Sequence, residues 1–87
     1  MTLNFPNACR SYDSKRKVVR FWAYDSALEI SFLVEVSALY KLNPRTRNGE
    51  GGYLESFDAV RDRIYEAARN AYSRGREGTY LLAAADF

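Results

Sequence analysis

The 87-residue chain contains no histidine, one cysteine and two prolines, and each shortage removes options. Without histidine there is no Ser-His-Asp or Cys-His nucleophile pair and no metal site built on imidazole. A single cysteine, Cys9, rules out an internal disulfide and, with no imidazole to activate it, reads as a structural or surface thiol. No stretch approaches the roughly 20 apolar residues of a membrane span, and the opening "MTLNFPNACR" lacks the apolar run of a secretory signal. The expectation is therefore a protein of the cytoplasm with no membrane contact. There is no GxGxxG and no P-loop either: residues 48–53, "NGEGGY", have glycines but no strand before them and no lysine after them, and read as a flexible connection.

What is present suits a folded domain. Apolar residues at 47% and aromatics at 15% can fill a core, and a chain this short supports one core only, so residues 1–87 are expected to form a single domain. The clearest element is residues 28–36. Leu28, Ile30, Phe32, Val34 and Val36 are apolar on the even positions, while Glu29, Ser31 and Glu35 are polar on the odd ones, with Leu33 the exception. That is a strand with one buried face. Before it, residues 10–12 and 18–24 read as two strands joined by the polar turn "DSKRK". Ser37 is a plausible N-cap for a short helix over 38–42, which Pro44 stops by disfavouring helical geometry at Asn43. A long helix is expected over 53–74, closed by Gly75, and residues 79–83 read as a last strand returning to the sheet. The order β-β-β-α-α-β predicts an α+β fold of two layers, a mostly antiparallel sheet of three to four strands with helices against one face.

Around the long helix, Tyr53, Phe57, Val60, Ile64, Ala67, Ala68, Ala71 and Tyr72 gather in one arc, and Glu55, Asp58, Asp62, Glu66 and Arg69 lie opposite. Arg61 falls inside the apolar arc. A guanidinium brought against a core needs partners or a route to water. Asp25, Asp86, a C-terminal carboxylate and backbone carbonyls are the candidates, with Arg61 and Asp86 the leading pair; the alternative is that Arg61 holds an external anion. Asp58, at i, i+3 spacing, adds a few tenths of a kcal/mol.

Two surfaces are candidates for function. If Val19, Phe21 and Ala23 face the core, then Val18, Arg20, Trp22 and Tyr24 face outward, joined there by Leu33, and apolar rings on an uncovered sheet face mark a contact surface. The competing readings are an inverted register, or a cover over Trp22 from the short helix or the N-terminal lead. The second surface is the first hairpin. Up to Tyr24 the chain carries Arg10, Lys15, Arg16, Lys17 and Arg20 against one acid, Asp13. Cations beside Trp22, Tyr24 and Tyr12 resemble the mixture used by single-stranded nucleic-acid binders, although no RRM-type motif accompanies it.

The succession "SYDSKRKVVRFWAYDSALEISFLVEVSAL", "FDAVRDRIYEAARNAY" and "YLLAAADF" resembles, over nearly the whole chain, the small bacterial family known as domain of unknown function 1488. The long helix with Phe57, Arg61, Ile64 and Ala68 is its most specific part. The resemblance implies a compact α+β domain with no assigned activity, cofactor or catalytic residue. A transcriptional-regulator label attached to some members finds no helix-turn-helix with a basic recognition helix in this chain. Residues and resemblance together lead to the expectation of a non-enzymatic domain, without cofactor or metal, that binds itself or another protein through Arg20, Trp22, Tyr24 and Leu33. The alternative is a nucleic-acid-binding or regulatory module using Lys15, Arg16, Lys17 and Arg20.

Overall fold

The computed structural model describes residues 3–5, 10–73 and 80–87. Three antiparallel strands come first: β1 (Arg10–Asp13), β2 (Val18–Asp25) and β3 (Leu28–Glu35). Helices α1 (Val36–Leu42), α2 (Glu50–Ala59) and α3 (Arg61–Ser73) follow, then β4 (Tyr80–Leu82) and a 3₁₀ turn, Ala84–Asp86. The sheet order is β1-β2-β3-β4, antiparallel except where β4 runs parallel to β3. This is the expected α+β fold with a mostly antiparallel sheet.

Local chemistry explains the turns. Asp13 Oδ1 accepts from the backbone N–H groups of Lys15, at 3.0 Å, and Arg16, at 3.3 Å, holding the β1–β2 turn closed. Lys17 and Ser26 each take φ of 55°, a left-handed conformation that closes the two hairpins without glycine.

The alternation along β2 and β3 puts Val19, Phe21, Ala23, Ile30, Phe32 and Val34 on one face, where they meet Leu39 of α1, Tyr53 and Phe57 of α2, and Ile64, Ala68 and Ala71 of α3. Phe21 is the hub, with ring centroids 5.2 Å from Phe32 and 5.3 Å from Phe57. Each such fully buried side chain contributes about 1.5–3 kcal/mol of transfer free energy. Leu3 and Phe5 join this same inner core, and Asn4 exchanges two backbone hydrogen bonds of 2.8 Å with Tyr24 at the strand edge.

The expected long helix is two helices. Val60, at φ −114° and ψ 20°, leaves helical geometry, and its N–H is shared between the carbonyls of Ser56 and Phe57. The break has a packing reason. α2 lies over β1 and β2 while α3 lies over β4, and a straight rod could not follow the twisted sheet across that span. α2 also starts earlier than expected, at Glu50, and its second turn is tied to the preceding loop. Thr46 donates its hydroxyl hydrogen to the Asn43 carbonyl at 2.6 Å, so Ser56 donates in the buried 2.7 Å contact between the two hydroxyls. α1 likewise begins at Val36 with Glu35 in the cap position, not Ser37. The expected closure at Gly75 and the start of the last strand at Thr79 lie outside the described residues.

Candidate functional site

Every buried apolar helix side chain belongs to the inner core, so among the described residues no helix packs on the other face of the sheet. Strand register lays that outer face out in rows. Val18 stands between Asp13 and Glu35; Arg20 stands between Ser11 and Leu33, with Leu81 of β4 beyond; Trp22 lies beside Ser31, and Tyr24 beside Glu29. The four residues expected on one surface, Arg20, Trp22, Tyr24 and Leu33, are therefore brought together. The register is the expected one, and Leu3 and Phe5 of the N-terminal lead sit on the inner side.

Two features refine the surface. Leu33 is only 6% exposed and Val18 only 3%, so neither presents much of its side chain on this face. Leu81, 43% exposed, is the apolar residue most open to solvent on this face. It was not singled out in the sequence. The available signal is its place between Tyr80 and Leu82, both buried, which by strand alternation aims it outward. Trp22 and Tyr24 are half-buried, and the Tyr24 hydroxyl donates to Glu29 at 2.9 Å. Arg20 is exposed and makes no ion pair among the described residues.

The basic hairpin is less uniform than its sequence. Lys15, Arg16 and Lys17 are exposed at the β1–β2 turn, but Asp13 is folded into that turn and Glu35 lines, with Arg16, Lys17, Ser37 and Tyr40, the shallow cleft beside it. Tyr12, expected beside these cations, turns to the inner side and packs on Tyr53 with centroids 5.2 Å apart. Trp22 and Arg20 are on the outer face. Of the basic set, Arg20 shares the outer face with Trp22 and Tyr24, while Lys15, Arg16 and Lys17 lie at the turn.

Arg61 opens α3 and lies against the rings of Phe57 and Tyr65, its guanidinium carbon 5.1 and 5.7 Å from their centroids. It donates to the Tyr65 hydroxyl at 2.7 Å and pairs with Asp58. Asp58 also takes a two-pronged bond from Arg10, 3.0 Å to Nε and 2.9 Å to Nη2, which clamps α2 to β1. Burial works to lower the Arg61 pKa, but the bonds to Tyr65 and Asp58 outweigh it and the net shift is upward, so the side chain stays charged. The pairing of Arg61 with Asp86 is corrected: Asp86 accepts from the backbone N–H of Ala83 at 2.7 Å and closes its own turn. Asp25 is engaged as well, by the Tyr72 hydroxyl at 2.6 Å. Local geometry wins: Asp58 lies three residues away, whereas Asp86 lies beside Ala67 and Asn70, farther along α3. Among the described residues the carboxylate paired with Arg61 is that of Asp58.

No group of three or more Cys, Asp or Glu side chains able to hold a metal gathers among the described residues. Among the described residues no helix is long and apolar enough to cross a membrane.

The model of the family described as "Protein of unknown function (DUF1488)" matches residues 3–82. The chain belongs to the DUF1488 family. Among curated proteins none matches. A solved DUF1488 structure, that of a protein of unknown function from Shewanella loihica PV-4, superposes with a TM-score of 0.81 over 94% of each chain at 18% identity. At that identity the likeness concerns the fold: the DUF1488 sheet and helix layer persist while most side chains differ.

Proposed function

We propose that this DUF1488 domain is a non-enzymatic binding module of the cytoplasm that docks on a protein through the outer face of its sheet. The observation that carries the reading is the outer face itself, where Trp22, Tyr24 and the exposed Leu81 share the face with Leu33 and no helix is laid over them among the described residues. Apolar side chains spread over a sheet face are uncommon on a free monomer, and an aromatic ring with an adjacent arginine is the composition found at interface centres. The lone cysteine suits a reducing compartment.

A photo-crosslinking residue placed at position 81, compared with one at the exposed Glu66 on the far side of α3, tests this in host cells. The reading expects a protein adduct, to itself or to another chain, at position 81 that Trp22→Glu abolishes. An adduct level at position 81 no higher than at 66 overturns it.

A further inference from the structure

Resting on that docking reading, we infer that the occupant of the outer face is a second copy of this chain, related by a two-fold axis that runs along the strands between β2 and β3. Such an axis exchanges the two strands, so each β2 residue lies over the copy's equivalent of its own cross-strand neighbour. The register then sets Trp22 over Ser31 of the copy, Arg20 over Leu33, and Tyr24 over Glu29. Bulky meets small at Trp22 and Ser31, in both directions, which is what interdigitating sheets about 10 Å apart require. The extended row places Leu81 toward Ser11 of the copy, again large over small.

Charge supports the same arrangement. Asp13 is occupied in its turn and Glu29 receives the Tyr24 hydroxyl. What is left on this face is one cation, Arg20, and one acid, Glu35, neither hydrogen-bonded nor ion-paired among the described residues. With the Arg20 stem lying over Leu33 of the copy, its guanidinium is one row, about 7 Å, from the copy's Glu35, within reach of a long side chain. The pair forms twice by symmetry, and a net charge of +2 per chain offers little repulsion. Arg20 and Glu35 thus give the face a cation and an acid that can pair reciprocally across a two-fold axis, alongside the carboxylates of Asp13 and Glu29, which are held by hydrogen bonds within each chain.

Size sets the strength. Two central strands of eight residues in a four-stranded sheet present roughly 27 Å by 14 Å. That is roughly 380 Å² per chain, about 760 Å² in all and below the standard range of stable specific interfaces, so the dimer is weak and concentration-dependent.

Light scattering and sedimentation from about 10 to about 500 μM, the range in which so small an interface dissociates, give the test. The mass of the unaltered chain rises from 10.0 kDa toward twice that value. Arg20→Glu and Glu35→Arg each weaken the dimer at least about tenfold, and the double variant returns to within about threefold of the original. Both positions lie at the surface, and circular dichroism melts confirm that each variant folds. A chain that stays at 10.0 kDa throughout overturns the second copy, as do single reversals without effect. If the chain stays monomeric while position 81 still captures a different protein in cells, the docking reading stands and only the second copy falls. Absence of both removes the two together.

Discussion

Replacing Arg61 with methionine isolates what the one inward-lying cation contributes. Methionine keeps the apolar stem against Phe57 and Tyr65 but removes the bond to the Tyr65 hydroxyl, the pair with Asp58 and the cation over two rings. The lost hydrogen bond is worth about 0.5–1.5 kcal/mol. The ion pair adds only about 0.2–0.5 kcal/mol, because Asp58 is 41% exposed and retains Arg10. The ring contacts add about 0.5–1 kcal/mol. Arg61→Met is therefore expected to cost about 1–3 kcal/mol, roughly 5–24 °C in Tm for a chain of this size. Tyr65→Phe removes the hydrogen bond from the other side, so the double variant should lose less than the sum of the two single changes. Urea unfolding followed by circular dichroism measures all three. A loss below about 0.3 kcal/mol, or one above 4 kcal/mol, would refute the reasoning. The first outcome says that the contacts do not hold the fold, the second that the guanidinium compensates a buried charge not accounted for. An Arg61→Met chain of full stability that loses its partner would revive the external-anion reading.

Further consequences follow from single contacts. Gly52→Ala should destabilise α2 markedly, by roughly 1–3 kcal/mol, because a Cβ there runs into the backbone carbonyl of Arg47; Gly51→Ala, where the space is open, should be neutral or slightly stabilising in the same melts. The phenol of Tyr72 is raised above its ordinary 10.0 first by its hydrogen bond to Asp25 and then by burial. A raised folded-state pKa means stability fully present below the unfolded value and lost as pH climbs through the folded one. Thermal melts should thus be flat in this respect below about pH 10 and fall above it, and Tyr72→Phe should shallow that alkaline decline; an unchanged slope excludes the Tyr72 to Asp25 bond as its source.

The sheet was legible because its signal is local: the alternation over 28–36 and the polar turn before Val18 need no knowledge of the rest of the chain, and they also placed Trp22 and Leu33 on the same face. The parallel return of β4 was not legible as to neighbour, since three residues carry no register, and Leu81 went unnoticed for that reason. The break at Val60 was hidden because the apolar spacing runs through it without interruption; what breaks the helix is the need to cover β1 and β2 with one half and β4 with the other. The start of α2 was masked by its glycines, whose intrinsic cost is overridden by the Thr46 and Ser56 hydroxyl contact. For Arg61, the wheel showed its inward position and the Asp58 spacing. The hydroxyl of Tyr65 and the second arginine on Asp58 depend on tertiary placement of Arg10, which no spacing encodes.

Trp22 is the sole tryptophan of the chain and stands on the outer face, so its emission reports directly on whether that face is covered. Fluorescence with acrylamide quenching, read across the concentration series and again with any protein captured at position 81, should show a blue shift and reduced quenching as the complex forms. A complex that forms with Trp22 emission and quenching unchanged would contradict the claim that the outer sheet face is the docking surface.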